Sequence, residues 1–335
     1  MYSRLLIVLI LFSVIVAGCA YSPHYDSENS GEKINVNGCY LTEEYNNEDD
    51  SCYLNCNNLD DQQCDALTLQ VYGGLDEFID EDLDGYIDPL KEEPDDLLIA
   101  SYSLDTTLSL SELSNIEPEN DEKFQHIWQA ILAILPEDYL QKEVVEYHIN
   151  TDGFDNTLAY VTLHESIPEK WVIAIDSADF TSQKDKEFIH TVIHEFAHIV
   201  FLNKSQVDID STQSCANYSI TEGCSRSASY INTFYTRFWA EIIEDNSSAL
   251  ADVDPTDKDE LTEFYKKYRA HFVSEYAASN PIEDAAEIFV HFVLGKKPQN
   301  SHLITEQKIE FLYRFPELIE LRSKIRANLI KHSDI

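Results

Sequence analysis

The stretch FIHTVIHEFAHIVFL, residues 188 to 202, constrains this chain more than any other. Ile189, Val192, Ile193, Phe196, Ile199 and Val200 recur at helical spacing, so a helix is expected whose apolar face is too large to leave in water. Another layer must cover it, and the chain must fold around it. The same helix carries His194, Glu195 and His198. Residues four apart share a face, so the two imidazoles point the same way one turn apart. At that spacing each can give a nitrogen to one Zn2+. Glu195, beside the first histidine, is placed to hold a metal-activated water and take its proton. The competing reading is a buried helix with incidental histidines. An open zinc site takes three protein ligands, and this helix supplies two.

A histidine does not complete the set locally, because Phe201 and Lys204 stand three and six residues beyond His198 where glycine and histidine would be needed. The stretch SEYAASNPIEDAAEIFVHFV, 274 to 293, offers carboxylates instead. Asn280 can cap a helix that begins at Pro281, and Glu283 and Asp284 then occupy a first turn that favours negative charge. Ala285 and Ala286 are small enough to let another helix approach. Glu283 and Glu287 lie one turn apart on one face, so one can bind metal while the other orients a ligand histidine. Asp284 is a further alternative ligand. His190, one turn before His194, reads as a rim residue, and His271 and His291 as structural. His164 and Glu165 end a strand whose backbone could pair with a substrate, or is an ordinary strand end.

HEFAH together with the run from Tyr276 to Glu287 resembles the zinc site of anthrax lethal factor-type metallopeptidases, and is similar to zinc metallopeptidase lipoproteins of bacterial envelopes. The resemblance covers about residues 185 to 295. It implies His194, His198 and Glu283 as zinc ligands and Glu195 as general base, with Glu287 orienting a histidine. Tyr276 would stabilise the oxyanion, the alternative being that its ring packs in the core. Nothing resembling the toxin's other domains is present.

The surrounding pattern suits α+β. KFQHIWQAILAIL (123 to 135) is helical and stopped by Pro136. VVEYHI (144 to 149), AYVTLH (159 to 164) and WVIAID (171 to 176) read as strands. Helices are expected at 185–202, 228–245, 257–278, 281–294 and 305–330. The expectation is a zincin-like domain over 97–335, a small sheet followed by the active-site helix and C-terminal helices.

The N-terminal third is different. Leu5 to Ala17 is an unbroken apolar run after Arg4, short for a bilayer span and suited to a signal-peptide core. It ends in Val16-Ala17-Gly18-Cys19, which resembles a bacterial lipobox; an uncleaved anchor helix is the alternative. Residues 1–18 are thus expected as a lipoprotein signal peptide, Cys19 as the acylated residue that attaches the chain to a membrane, and 19–38 as a polar tether. Residues 39–96 form a cysteine-rich acidic segment with little core of its own. Cys39, Cys52, Cys56 and Cys64 could pair in three ways, or hold zinc, whereas Cys215 and Cys224 are expected to pair with each other. Asp80, Asp82, Asp84 and Asp88 around Gly85 resemble the front half of an EF-hand-type calcium loop, although Lys91 stands at its twelfth position. An acidic turn without calcium is the alternative there.

A net charge of −39 excludes a nucleic-acid partner. The function expected is an envelope-anchored zinc peptidase acting on peptide or protein, an endopeptidase for want of a GxMxN-like exopeptidase stretch. An aminopeptidase or wall-peptide amidase would use the same site. A non-catalytic zinc-containing subunit of an import or adhesion complex would need neither Glu195 nor Tyr276.

Overall fold

Alternating apolar residues on five strands create one wall of the core. The computed structural model describes residues 43–46, 51–54, 75, 79, 97–114, 118–152, 158–183, 185–209, 215–245, 258–298 and 301–332. These belong to one compact unit, Lys33–Ile335. A hairpin of β1 (Glu43–Asn46) and β2 (Ser51–Leu54) comes first. The main sheet contains β3 (Leu97–Leu104), β4 (Leu110–Glu112), β5 (Val144–Thr151), β6 (Ala159–His164) and β7 (Ile167–Asp176) in the order β4-β3-β5-β7-β6. Only β5 and β7 run parallel; the other pairs are antiparallel. Tyr147 and Ile149 on β5 turn to the core at every second position, and Trp171–Asp176 on the inner strand β7 are buried without a break, as both faces of that stretch are covered. On that side Tyr147 meets Trp128 of α1 (Pro118–Leu132) at a ring separation of 5.0 Å. Helix α2 (Glu137–Glu143) leads directly into β5.

Helix α3 (Lys186–Leu202) is capped by the Asp185 side chain, which accepts from Glu187 N. It packs on β6 and on α7 (Pro281–Leu294). Ala285 and Ala286 are completely buried, and Phe289 reaches the rings of Phe196 and Phe201 at 6.4 and 6.0 Å. Two buried helices thus cross at the centre, as their apolar faces demand.

After α3 a small sheet of β8 (Val207–Asp208), β9 (Ser219–Ile220) and β10 (Gly223–Ser225) runs in the order β8-β10-β9. A Cys215–Cys224 disulfide staples it, with Cα atoms 5.4 Å apart. Gly223 has φ +149, and a Cβ there would lie 2.4 Å from the Asp208 carbonyl oxygen, so only glycine fits the crossing. The remaining helices are α4 (Tyr230–Phe238), α5 (Ala240–Asp245), α6 (Lys258–Tyr268), α8 (Ile304–Leu312) and α9 (Pro316–His332). No helix among the described residues is long and apolar enough to cross a membrane.

The mixed α/β architecture with a small sheet and C-terminal helices agrees with the coarse expectation. Several boundaries differ. Strands β3 and β4 and helix α2 escape the sequence pattern. The helix expected at 228–245 breaks at Trp239, and that at 305–330 is interrupted before Pro316, whose ring suits a helix's first turn and not its interior. The helix expected at 257–278 ends at Tyr268 and continues as short 3-10 turns, Arg269–His271 and Tyr276–Ala278. Between them Phe272 turns extended and packs its ring 5.2 Å from Trp239. Cys19, the Asp80–Asp88 loop and the side chains of the early cysteines lie outside the described residues.

Candidate metal centre

Helix α3 delivers His190, His194 and His198 along one face, and α7 sets Glu283 and Glu287 against them. The Asn280 side chain accepts from Ile282 N and Glu283 N at 2.9 and 3.1 Å, fixing the turn that aims Glu283. Glu283 Oε2 lies 3.0 Å from His194 Nε2 and 3.4 Å from His198 Nε2, and the two nitrogens are 3.1 Å apart. Bonds of about 2.0–2.1 Å in tetrahedral directions hold their ligands about 3.3 Å apart. Two imidazole nitrogens and a carboxylate oxygen at these spacings fit one face of such a tetrahedron.

Behind them, His194 Nδ1 donates to Glu287 Oε1 at 2.7 Å. A carboxylate only accepts, so a proton belongs on Nδ1, and Nε2, which faces Glu283, is the nitrogen that would ligate a cation bound there. Glu287 is itself held, its Oε2 accepting from Ser274 Oγ at 3.0 Å, while His190 Nε2 stands 3.3 Å from Oε1. Ser274 in turn accepts from Ala277 N. His190 is therefore an interior residue at 2% exposure, not the rim residue expected. The grouping His190, His194 and Glu287 could also hold a metal ion, as could His194, Glu195 and His198. The set opens outward, with side-chain exposure rising from 3% at His190 to 12% at His198 and 18% at Glu283.

The charges explain the titration behaviour. Burial disfavours the imidazolium at His194 and His198, but Glu283 acting on both, with Glu287 on His194, outweighs it and raises each above the ordinary histidine value. Burial likewise opposes ionisation of Glu283 and Glu287, and the facing histidines more than reverse it, holding both carboxyls low. Negative charge at this spot thus calls for compensation by protons or by a cation. Glu195 is raised, by burial first, against the lowering effect of His198 and His194; it also accepts from the Val161 N–H of edge strand β6. Tyr276 places its ring 5.7 Å from that of His194 and hydrogen-bonds Glu283. Burial and then the Glu283 and Glu195 carboxylates keep its phenol protonated far above the usual range.

Asp284, the alternative ligand, turns away from the histidines. It is completely buried, with Oδ2 2.5 Å from Lys308 Nζ and 2.6 Å from Trp239 Nε1. Burial pushes its carboxyl up to about 6 and the Lys308 ammonium down. His164 is held at the strand end, its Nε2 3.0 Å from Glu146 Oε1 and its Nδ1 accepting from Ser166 and Ile167 N. Tyr218, on the disulfide-stapled loop, is raised by burial, Tyr235, Glu222 and Glu283, which brings that loop into the electrostatic reach of the centre. Ser274, Trp239 and Lys308 were invisible to sequence pattern. So was a second acidic group, Asp152, Asp176 and Asp179, whose oxygens lie within 4.8 Å of one another and could also hold a cation. Burial and then the other two aspartates push Asp179 up to about 6. Comparisons with protein-family models, curated proteins and solved structures find no match to this chain.

Proposed function

We propose that this chain is a zinc-dependent peptidase of the lethal factor-like, zincin kind, tethered to a bacterial envelope by lipid on Cys19. The observation that carries the reading is the triangle of His194 Nε2, His198 Nε2 and Glu283 Oε2, drawn from two helices and 3.0 to 3.4 Å on a side. Nitrogen–nitrogen–oxygen donors in that number suit zinc with a free position. Bound there, Zn2+ would supply Lewis-acid polarisation of a carbonyl and acidify a water at neutral pH.

The chain's own residues then divide the work. Glu195 accepts a proton from the attacking water and passes it to the leaving amine. Tyr276, its phenol held protonated by burial and the neighbouring carboxylates, donates a hydrogen bond to the oxygen that gains negative charge. Glu287 and Ser274 hold the His194 ring in its tautomer and orientation. Strand β6 is the sheet edge beside Glu195, and a sheet edge suits an extended peptide. A zinc retained only for structure would call for neither Glu195 nor Tyr276.

The test is metal analysis of the purified full-length protein with turnover of a quenched-fluorescent peptide library. About one zinc per chain and cleavage stopped by a chelator are expected; zinc without cleavage of any peptide would defeat the hydrolase reading. Anchoring is checked separately. Cys19→Ser should move the protein from the membrane to the soluble fraction, and continued membrane association without lipid label would remove the tether from the scheme.

A further inference from the structure

The segment from His271 to Asp284 carries Ser274, Tyr276 and Glu283, three of the side chains that build the centre. It is the least regular backbone near the site. Phe272 is extended at φ −123, ψ 143, Tyr276–Ala278 is a single 3-10 turn, and Asn280 is extended again at φ −165, ψ 167. Its own backbone bonds are short-range, Ala278 N to Glu275 O and Ser279 N to Tyr276 O. No backbone bond joins the two ends of this stretch.

One side chain from α8 does. Lys308 Nζ donates to the His271 carbonyl oxygen at 2.5 Å and to Asp284 Oδ2 at 2.5 Å, joining the two ends of the segment. Trp239 Nε1 donates to the same Asp284 oxygen at 2.6 Å, and the Phe272 ring lies 4.5 Å from the ammonium. Lys308 and Asp284 are both 0% exposed. A buried ion pair adds little net stability, since well-packed apolar replacements are often neutral or better. Its geometry is what an apolar pair cannot reproduce. Asp284 directly follows Glu283, about 100° further round the helix, so clamping Asp284 inward sets the rotation of the first turn that aims Glu283 at the histidines.

We infer that Lys308 is a positioning residue. By bridging His271 and Asp284 it closes the 271–284 segment and holds Tyr276 and Glu283 at the distances a bound cation requires. The inference rests on the zinc reading above, because the quantity it sets is the fit of the donor triangle. Metal ligands tolerate errors of only about 0.2 Å, and loosened supports of such ligands cost about 10–100-fold in affinity.

The experiment compares full-length wild type with the double variant Asp284→Leu, Lys308→Met, which removes both charges together. Zn2+ affinity is read by competition with a chromophoric chelator, and metal-free thermal stability by circular dichroism. The double variant is expected to melt near wild type yet bind Zn2+ about 10–100-fold more weakly, with kcat falling more than KM changes. A purely structural pair would leave the affinity of a stable variant unchanged, and wild-type affinity there overturns the inference. Should the double variant fail to fold, Lys308→Gln takes its place under the same criterion. A wild-type protein that binds no Zn2+ defeats the metal reading itself, an outcome distinct from equal binding by both proteins.

Discussion

Glu195→Gln is expected to lower peptide turnover by about 10²–10⁴-fold, the usual worth of a positioned acid–base group, while the protein keeps its zinc. The substitution is nearly isosteric, and none of the three donor atoms belongs to it. The amide oxygen of the substituted side chain could still accept from Val161 N–H, as the carboxylate does, so the side chain should stay in place. What disappears is the capacity to take a proton from water. Initial rates on a cleaved peptide, with metal content measured on the same sample, check this. If the variant retains more than about a tenth of wild-type activity, Glu195 is not the base. If it loses zinc as well, the activity loss says nothing about proton transfer, and the companion measurement is then the rate at saturating added zinc.

The second large effect concerns stability. Arg322→Met is expected to destabilise the fold by about 2–4 kcal/mol, from the loss of two buried charge-assisted hydrogen bonds offset by relief of burying a cation. Helix α7 ends inside the protein, where its last carbonyls have no intrahelical partners and lie buried. Arg322 Nε donates to Phe292 O at 2.6 Å and its terminal nitrogen to Gly295 O at 2.7 Å. Arg326 donates to Val293 O and Leu294 O at 2.8 and 3.1 Å, and Leu75 N donates to Leu294 O at 2.6 Å. Both arginines are essentially unexposed, at 0% and 1%. Their charge meets the negative end of the helix dipole, which is the favourable direction. Chemical denaturation of the variant reads the difference. A change under about 0.5 kcal/mol would mean that the carbonyls find other donors and that the arginine cap is dispensable. Arg322→Lys should recover only part of the loss, since one ammonium lacks the planar fork that spans two carbonyls.

These two helices show what a reader of sequence can and cannot see. In α3 the apolar spacing, the two histidines and the glutamate between them are local, and a regular helix converts spacing directly into direction. The same holds at the start of α7, where Asn280 and Pro281 announce the cap and the first turn, and the cap is found as expected. Elsewhere local pattern misled. Residues 257–278 alternate apolar and charged groups as a helix would, but Phe272 leaves the helix to pack on Trp239, and Lys308 takes the His271 carbonyl. His190 shares the face of His194, which was legible; that Glu287 would bury it was not. Asp284 and Glu283 are adjacent acids in one first turn, and nothing in their order says which faces the histidines.

Sequence by itself determined the helix, its two imidazoles and its carboxylate, because those follow from a 3.6-residue period acting over a few turns. It also narrowed the candidate acids facing those imidazoles to one short stretch. Only the tertiary structure decided which acid faces which histidines, Glu283 turned to His194 and His198 and Glu287 to His190 and His194, since that depends on how α7 is rotated. The groups that hold α7 in place, Lys308 and Trp239 on Asp284 and Arg322 and Arg326 on its last carbonyls, come from distant parts of the chain, through burial and hydrogen bonds that no local spacing encodes.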